Sequence, residues 1–222
     1  MVLDSQPSPR GMASLEDVRS WLEEGVENPE RLEHVKFTIV EESAEDGRLR
    51  ALRATSAEAP VMLLAIDLGD SPVPAIRVVV ETGVETVDLE PERKLKLYRS
   101  LLLYSRLPLV KTYLYGDEHK LALAVDLDKK SLSRAEFNDA VASLLLAYVT
   151  IVSELGFREE AAEEAMRSLT ALAAAQLRSG RGREEVEETL IAAGVPRELA
   201  DRILDEVYGQ EESGDKGSRL YM

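Results

Sequence analysis

The sequence predicts an α+β fold, an antiparallel sheet covered by helices and followed by an all-α module of three helices. Three observations carry this. Strand-type patterns follow one another between His34 and Gly83 with no helical pattern between them. The runs "LVKTYLY" and "KLALAVD" are joined only by "GDEH". Beyond Gly156 the composition shifts to Ala and Glu and no strand signal remains. Alternating βαβ units, the mark of a doubly wound parallel sheet, are absent.

The elements follow in order. Ser14 with Asp17 forms a capping-box start, and Leu15, Val18, Trp21 and Leu22 recur at helical spacing until Gly25. From His34 the period becomes two: Val35, Phe37 and Ile39 alternate with Lys36 and Thr38, and "EDG" turns the chain into "RLRALRAT". "PVMLLAIDLG" and "PAIRVVVETG" continue an antiparallel meander. Pro91 suits a first helical position, and Leu95, Tyr98, Leu101, Leu102 and Leu103 then wrap much of a helix before Pro108. After the hairpin, Phe137, Val141, Leu144, Leu145, Tyr148, Ile151, Val152 and Leu155 form a stripe on one long helix. Helical patterns at about 159–177, 184–193 and 197–207 close the chain. The expected division is a disordered start (1–13), an α+β domain (14–156), a helical module (157–209) and a disordered tail (210–222).

Composition removes several functions. With no cysteine, thiol catalysis, disulfides and cysteine-ligated zinc are excluded, which suits a reducing cytosol. The 42 acidic residues against 27 basic give a net charge of −15, which repels phosphate backbones and argues against nucleic acid. No apolar run reaches about 18 residues, and the start of the chain has neither a signal-peptide core nor a transit-peptide pattern. The expectation is a cytoplasmic protein with no membrane segment. Only two Asn and three Gln occur among 31% charged residues, a thermophile-like balance.

Candidate sites are few. "DLDKKSLSRAEF", Asp126 to Phe137, has the outline of a calcium loop. Lys130 stands where an oxygen ligand belongs, Ser131 where the turn needs Gly, and Glu136 falls one residue before the bidentate position. The same residues read fully as a helix start, with Ser133 as N-cap, Glu136 as its N3 partner, and Leu132 with Phe137 as a hydrophobic staple. His34 and His119 are far apart and accompany no nucleophile motif. No catalytic residue, metal or cofactor is expected. The loop "SGRGRE", with Arg178, Arg181 and Arg183 before a helix, could hold a phosphate or nucleotide, but it follows no strand and matches no phosphate-loop pattern. The surplus apolar face of the helix near residue 100, with Tyr98, Leu101, Leu102, Tyr104, Tyr113 and Tyr115, is the candidate dimer or partner surface.

The segment "LPLVKTYLYGDEHKLALAVDLDKKSLSRAEFNDAVASLLLAYVTIVSEL" resembles the type III secretion chaperone-like fold group, in particular YbjN-like domains. The likeness lies in the hairpin, the apolar strand ending in an acidic residue, the "SLSRAEF" cap and the long helix. The order of elements, α-β-β-β-α-β-β-α, extends it back to about Ser14. An extra strand in the first sheet section and the helices after Gly156 depart from the pattern. The resemblance implies a non-enzymatic, dimerising, chaperone-like protein that binds segments of other proteins. "LIAAGVPRELADRILDEV" is similar in rhythm to ubiquitin-associated domains, which again implies protein binding. Two alternatives stand beside this: a phosphate-ligand binder or hydrolase using loop 178–183, and an acidic regulator of a basic protein surface.

Overall fold

The computed structural model describes residues 12–27, 34–56, 61–69, 72–104 and 109–218. Residues 1–11 and 219–222, and the side chains of Tyr104, Glu154 and residues 209–218, lie outside the described residues; where the sequence predicts a disordered tail from 210, the described backbone continues as helix to Ser218. The described chain is α+β, as the sequence predicts.

Helix α1 (Leu15–Glu24) starts at Ser14, whose Oγ accepts the Asp17 N–H while the Asp17 carboxylate accepts the Ser14 N–H. Both orphan donors are thereby satisfied. Gly25 ends the helix at φ 108°, a conformation that needs glycine. Two short strands follow, β1 (Val26–Glu27) and β2 (His34–Val35), paired antiparallel as a small separate sheet. The predicted strand from His34 to Ile39 is therefore split. Phe37 breaks the run by donating its N–H to Leu22 O at the end of α1 and burying its ring in the core.

The main sheet contains β3 (Thr38–Glu45), β4 (Arg48–Thr55), β5 (Met62–Asp67), β6 (Ala75–Glu85), β7 (Lys111–Tyr115) and β8 (Lys120–Asp128), in the order β3-β4-β5-β6-β8-β7 and antiparallel throughout. Four strands thus precede α2 (Pro91–Tyr104), which accounts for the extra strand in the first section. The β7–β8 hairpin inserts so that β8 pairs with β6 and β7 becomes an edge.

The helix α3 (Arg134–Glu154) and α1 cover one face of the sheet. Leu52, Leu63, Ile76, Val78, Leu123 and Val125 point into them and meet Val18, Leu22, Phe137, Leu144 and Ile151. Although α3 is long and apolar enough to cross a membrane, its apolar face fills this core. Trp21 and Phe137 pack with ring centroids 5.4 Å apart, an Arg134–Glu24 ion pair also joins α3 to α1, and Asn138 Oδ1 accepts the Glu27 N–H at 2.9 Å.

On the other side, α4 (Arg158–Arg178) passes over β6, and α5 (Arg183–Ala192) and α6 (Arg197–Ser218) pack beside it. A second apolar cluster holds Leu172, Val186, Leu190, Ile203, Leu204 and Val207 of these helices together with Val40 from β3. Gln176 Nε2 donates to Val40 O at 2.8 Å, and Thr38 Oγ1 donates to Ala192 O at 3.1 Å. The helical region is thus joined to the β3 edge by both apolar and polar contacts.

Where α4 crosses β6, the strand bulges: its register with β8 shifts between Glu81 and Glu85. The Thr82 hydroxyl donates to Leu121 O and accepts the Val84 N–H, replacing the missing ladder bonds. Gly83 lies in the bulge at φ 72°, and a Cβ there would stand 2.2 Å from Glu160 O on α4. Only glycine lets the helix backbone come this close.

Candidate functional site

Among the described residues, helix α2 is held at few points. Leu97 is fully buried and Leu101 packs partly against the main core. Arg93 donates to Gly156 O and Glu160 and lies 4.4 Å over the Phe157 ring. The opposite side faces solvent, with Leu95 70% exposed, Tyr98 37%, Leu102 74% and Leu103 55%. A helix of this composition would ordinarily bury such residues, so this exposed face stands out from the rest of the surface. Leu95, Tyr98 and Leu102 recur at spacings of three and four, the pattern that forms one seam along a helix.

Further along the chain, β7 is an edge of the main sheet, and among the described residues no strand pairs with its outer side. Its alternation divides the residues grouped by the sequence. Leu114 pairs with Leu121 and turns toward the same side of the sheet as Leu97, where it and the nearby Leu109 are exposed. Tyr113 and Tyr115 point to the other face, with ring centroids 6.3 Å apart, next to Ala122, Ala124 and Val79. The structure therefore places Tyr98, Leu101 and Leu102 on α2 and the two hairpin tyrosines across the sheet. Leu95, which the sequence marks only as part of the helix pattern, joins Tyr98 and Leu102 on the exposed face, and Leu109 and Leu114 are exposed apolar residues that the sequence does not single out.

The tyrosine face also carries an ionic cluster. Arg77 donates to both oxygens of Asp126, at 2.6 and 2.9 Å, and Lys111 Nζ donates to Asp126 Oδ2 at 2.7 Å. The Arg77 hydrogen bonds, followed by that of Lys111, outweigh burial and hold the Asp126 carboxyl down at about 2, from an ordinary 3.8. Tyr115 is pushed up, first by burial and then by the nearby Glu81 carboxylate. The sign for stability follows directly. A depressed carboxyl contributes fully above its unfolded pKa, and that contribution is lost as pH falls through the folded one. We expect about 2 kcal/mol of stability to disappear between pH 4 and pH 2 through this group. Urea titrations across that range check it, since Asp126→Asn should flatten the acid limb.

The carboxylates of "DLDKKSLSRAEF" have other engagements. Asp126 holds Arg77 and Lys111, Asp128 Oδ1 accepts the Lys130 N–H at 2.9 Å, and Glu136 closes a capping box with Ser133. Among the described residues no group of three His, Asp or Glu side chains is placed to hold a metal. His34 pairs opposite Glu27 in the small sheet, and His119 occupies the turn between β7 and β8.

The three arginines of the phosphate candidate each answer a neighbour of their own. Arg178 Nε donates to Ala174 O, Arg181 lies 3.6 Å from Glu185, and Arg183 donates to Asp205 at 2.8 Å with Asp201 at 3.6 Å. A cleft where α4 crosses the sheet, lined by Leu64, Val79, Glu81, Tyr148 and Glu164, holds only about 30 Å³, room for water rather than an organic ligand. Burial pushes the Tyr148 hydroxyl there up to about 12.

Comparison with known proteins adds a family. Residues 17–155 match the family described as "Domain of unknown function (DUF8183)", so α4, α5 and α6 fall outside the matched region. No curated protein matches the chain. A chain in the solved structure of the heterodimeric ExoU-SpcU complex, from the type III secretion system of Pseudomonas aeruginosa, is similar over 61% of this chain and 94% of that one. The identity is 17% and the TM-score 0.41.

Proposed function

Because the chain belongs to the DUF8183 family, whose description names no activity, we propose from its geometry that it is a non-enzymatic, chaperone-like protein-interaction domain. Its docking face is α2 beside the β7 edge. The observation that carries this is the exposure of Leu95, Tyr98, Leu102 and Leu103 on a helix anchored chiefly through Leu97. Apolar helix faces flanked by an open strand take up protein segments, either along the helix or as an added strand.

Two occupants suit such a face: a segment of a partner protein, and the α2 of a second copy in a homodimer. The seam spacing of Leu95, Tyr98 and Leu102 suits either, since such a stripe can interdigitate with its own copy or with another apolar helix face. Light scattering coupled to size exclusion tests both. A mass of twice 24.6 kDa that halves on Leu95→Asp assigns the face to a second copy. A single-chain mass, with an apolar reporter dye bound by the native chain and released by Leu95→Asp, leaves the face to a partner. A monomer that binds no dye and is indifferent to the substitution would sink the docking reading.

A further inference from the structure

The charge of α2 is opposite to that of the rest of the molecule. Arg93, Lys94, Lys96 and Arg99 stand against Glu92 alone, a net +3 on 14 residues, while the remaining residues carry 23 basic against 41 acidic groups. Two of these cations have internal duties: Arg93 is paired with Glu160, and Lys94 Nζ donates to Val87 O. Lys96 and Arg99 are exposed, and among the described residues neither is paired with a carboxylate. They are three residues apart, and Arg99 is four from both Leu95 and Leu103, so the two free charges border the apolar stripe.

From this juxtaposition we infer that the α2 face recognises an acidic amphipathic segment of a different protein. The inference rests on the docking reading above and names its partner chemistry. Apolar side chains of the segment seat against Leu95, Tyr98 and Leu102, and its carboxylates meet Lys96 and Arg99. A second α2 is the poorer occupant, because pairing two helices of net +3 sets like charges along one seam, and like charges in register exclude a partner. The acidic body does not cancel the attraction. At physiological salt, charges are felt over about 8 Å, so the segment senses the cations it touches rather than the whole molecule. A basic helix with exposed leucines also has the chemistry of an anionic membrane surface. The β7 edge, whose regular alternation of N–H and C=O groups matches another strand and not a fluid headgroup layer, favours a protein.

Fluorescence anisotropy on the full chain tests this with two designed helical peptides of equal length and identical leucine positions, one with Glu and one with Lys on the polar face. Phosphatidylserine–phosphatidylcholine vesicles form a third arm. The Glu peptide is expected to bind about tenfold or more tightly than the Lys peptide, to weaken with salt, and to lose its advantage on Lys96→Glu with Arg99→Glu. Circular dichroism of that variant should match the native chain, since both positions are solvent-facing. Equal affinity for the two peptides, with binding still lost on Leu95→Asp, would keep the docking face and overturn the charge selection. Binding to vesicles but to neither peptide would overturn the protein partner. A dimer that Leu95→Asp disperses, and that binds neither peptide, would give the face to a second copy and overturn the inference.

Discussion

Gly83→Ala is expected to lower the stability of the fold by about 4 kcal/mol, the sum of a left-handed backbone on a residue with a side chain and a methyl group driven into α4. The new Cβ would lie 2.2 Å from Glu160 O and 2.7 Å from Glu164 Cβ, and backbone cannot rotate aside as a flexible side-chain end can. Relief requires α4 to lift from β6, uncovering Val79, Leu64 and the apolar lining of the crossing. Gly156 supplies the internal control. It has nearly the same φ, 76°, but a Cβ there meets nothing within 4 Å, so Gly156→Ala should cost only the backbone part, about 1 kcal/mol. Urea denaturation of the two variants side by side measures the difference. Equal losses would mean that α4 does not bear on the bulge.

Phe137→Ala is the second large effect, expected at about 4 kcal/mol, the usual range for emptying a fully buried aromatic site. Phe137 is the fourth residue of α3 and stands where three elements meet: Leu132 before the cap, Trp21 on α1, and the sheet. Its loss opens a cavity that the capping box cannot help to close, because the box fixes the helix start in place. Trp21 is the sole tryptophan, so its emission reports on the site directly. A shift in emission together with an earlier denaturation midpoint is the expected result. An unchanged midpoint would show that the junction repacks.

The local grammar of the chain was legible in the sequence. Ser14–Asp17 and Ser133–Glu136 are read as capping boxes because every partner lies within three residues, and the structure contains both. The β7–β8 hairpin and the outward apolar stripe of α2 were readable for the same reason. What escaped depends on residues distant in the chain. Nothing in "VE" and "HV" announces that four residues will pair as a small sheet beneath α3. Val40 reads as an ordinary strand residue, yet its side chain belongs to the cluster of the C-terminal helices. Gly83 did leave a mark, a glycine inside a strand pattern, which signals a bulge or a close approach without saying of what. The candidate surface was half legible. The period of α2 showed which residues were apolar in excess, but only the strand register could show that Tyr113 and Tyr115 turn away from it.

The two edges of the sheet are unlike. On β3, two register shifts, the carboxylates of Glu41, Glu42 and Glu45, and the bonds that Gln176 of α4 donates to Val40 O and Thr38 donates to Ala192 O all stand in the way of an incoming strand. On β7, among the described residues, no strand pairs with the outer side of Lys111–Tyr115. A sheet that can be extended at one side only cannot polymerise: joining β7 to another β7 uses up the free edge of both molecules, and joining it to a guest strand uses up its own. Growth through these edges stops after one addition, so an exposed β7 is no seed for fibres.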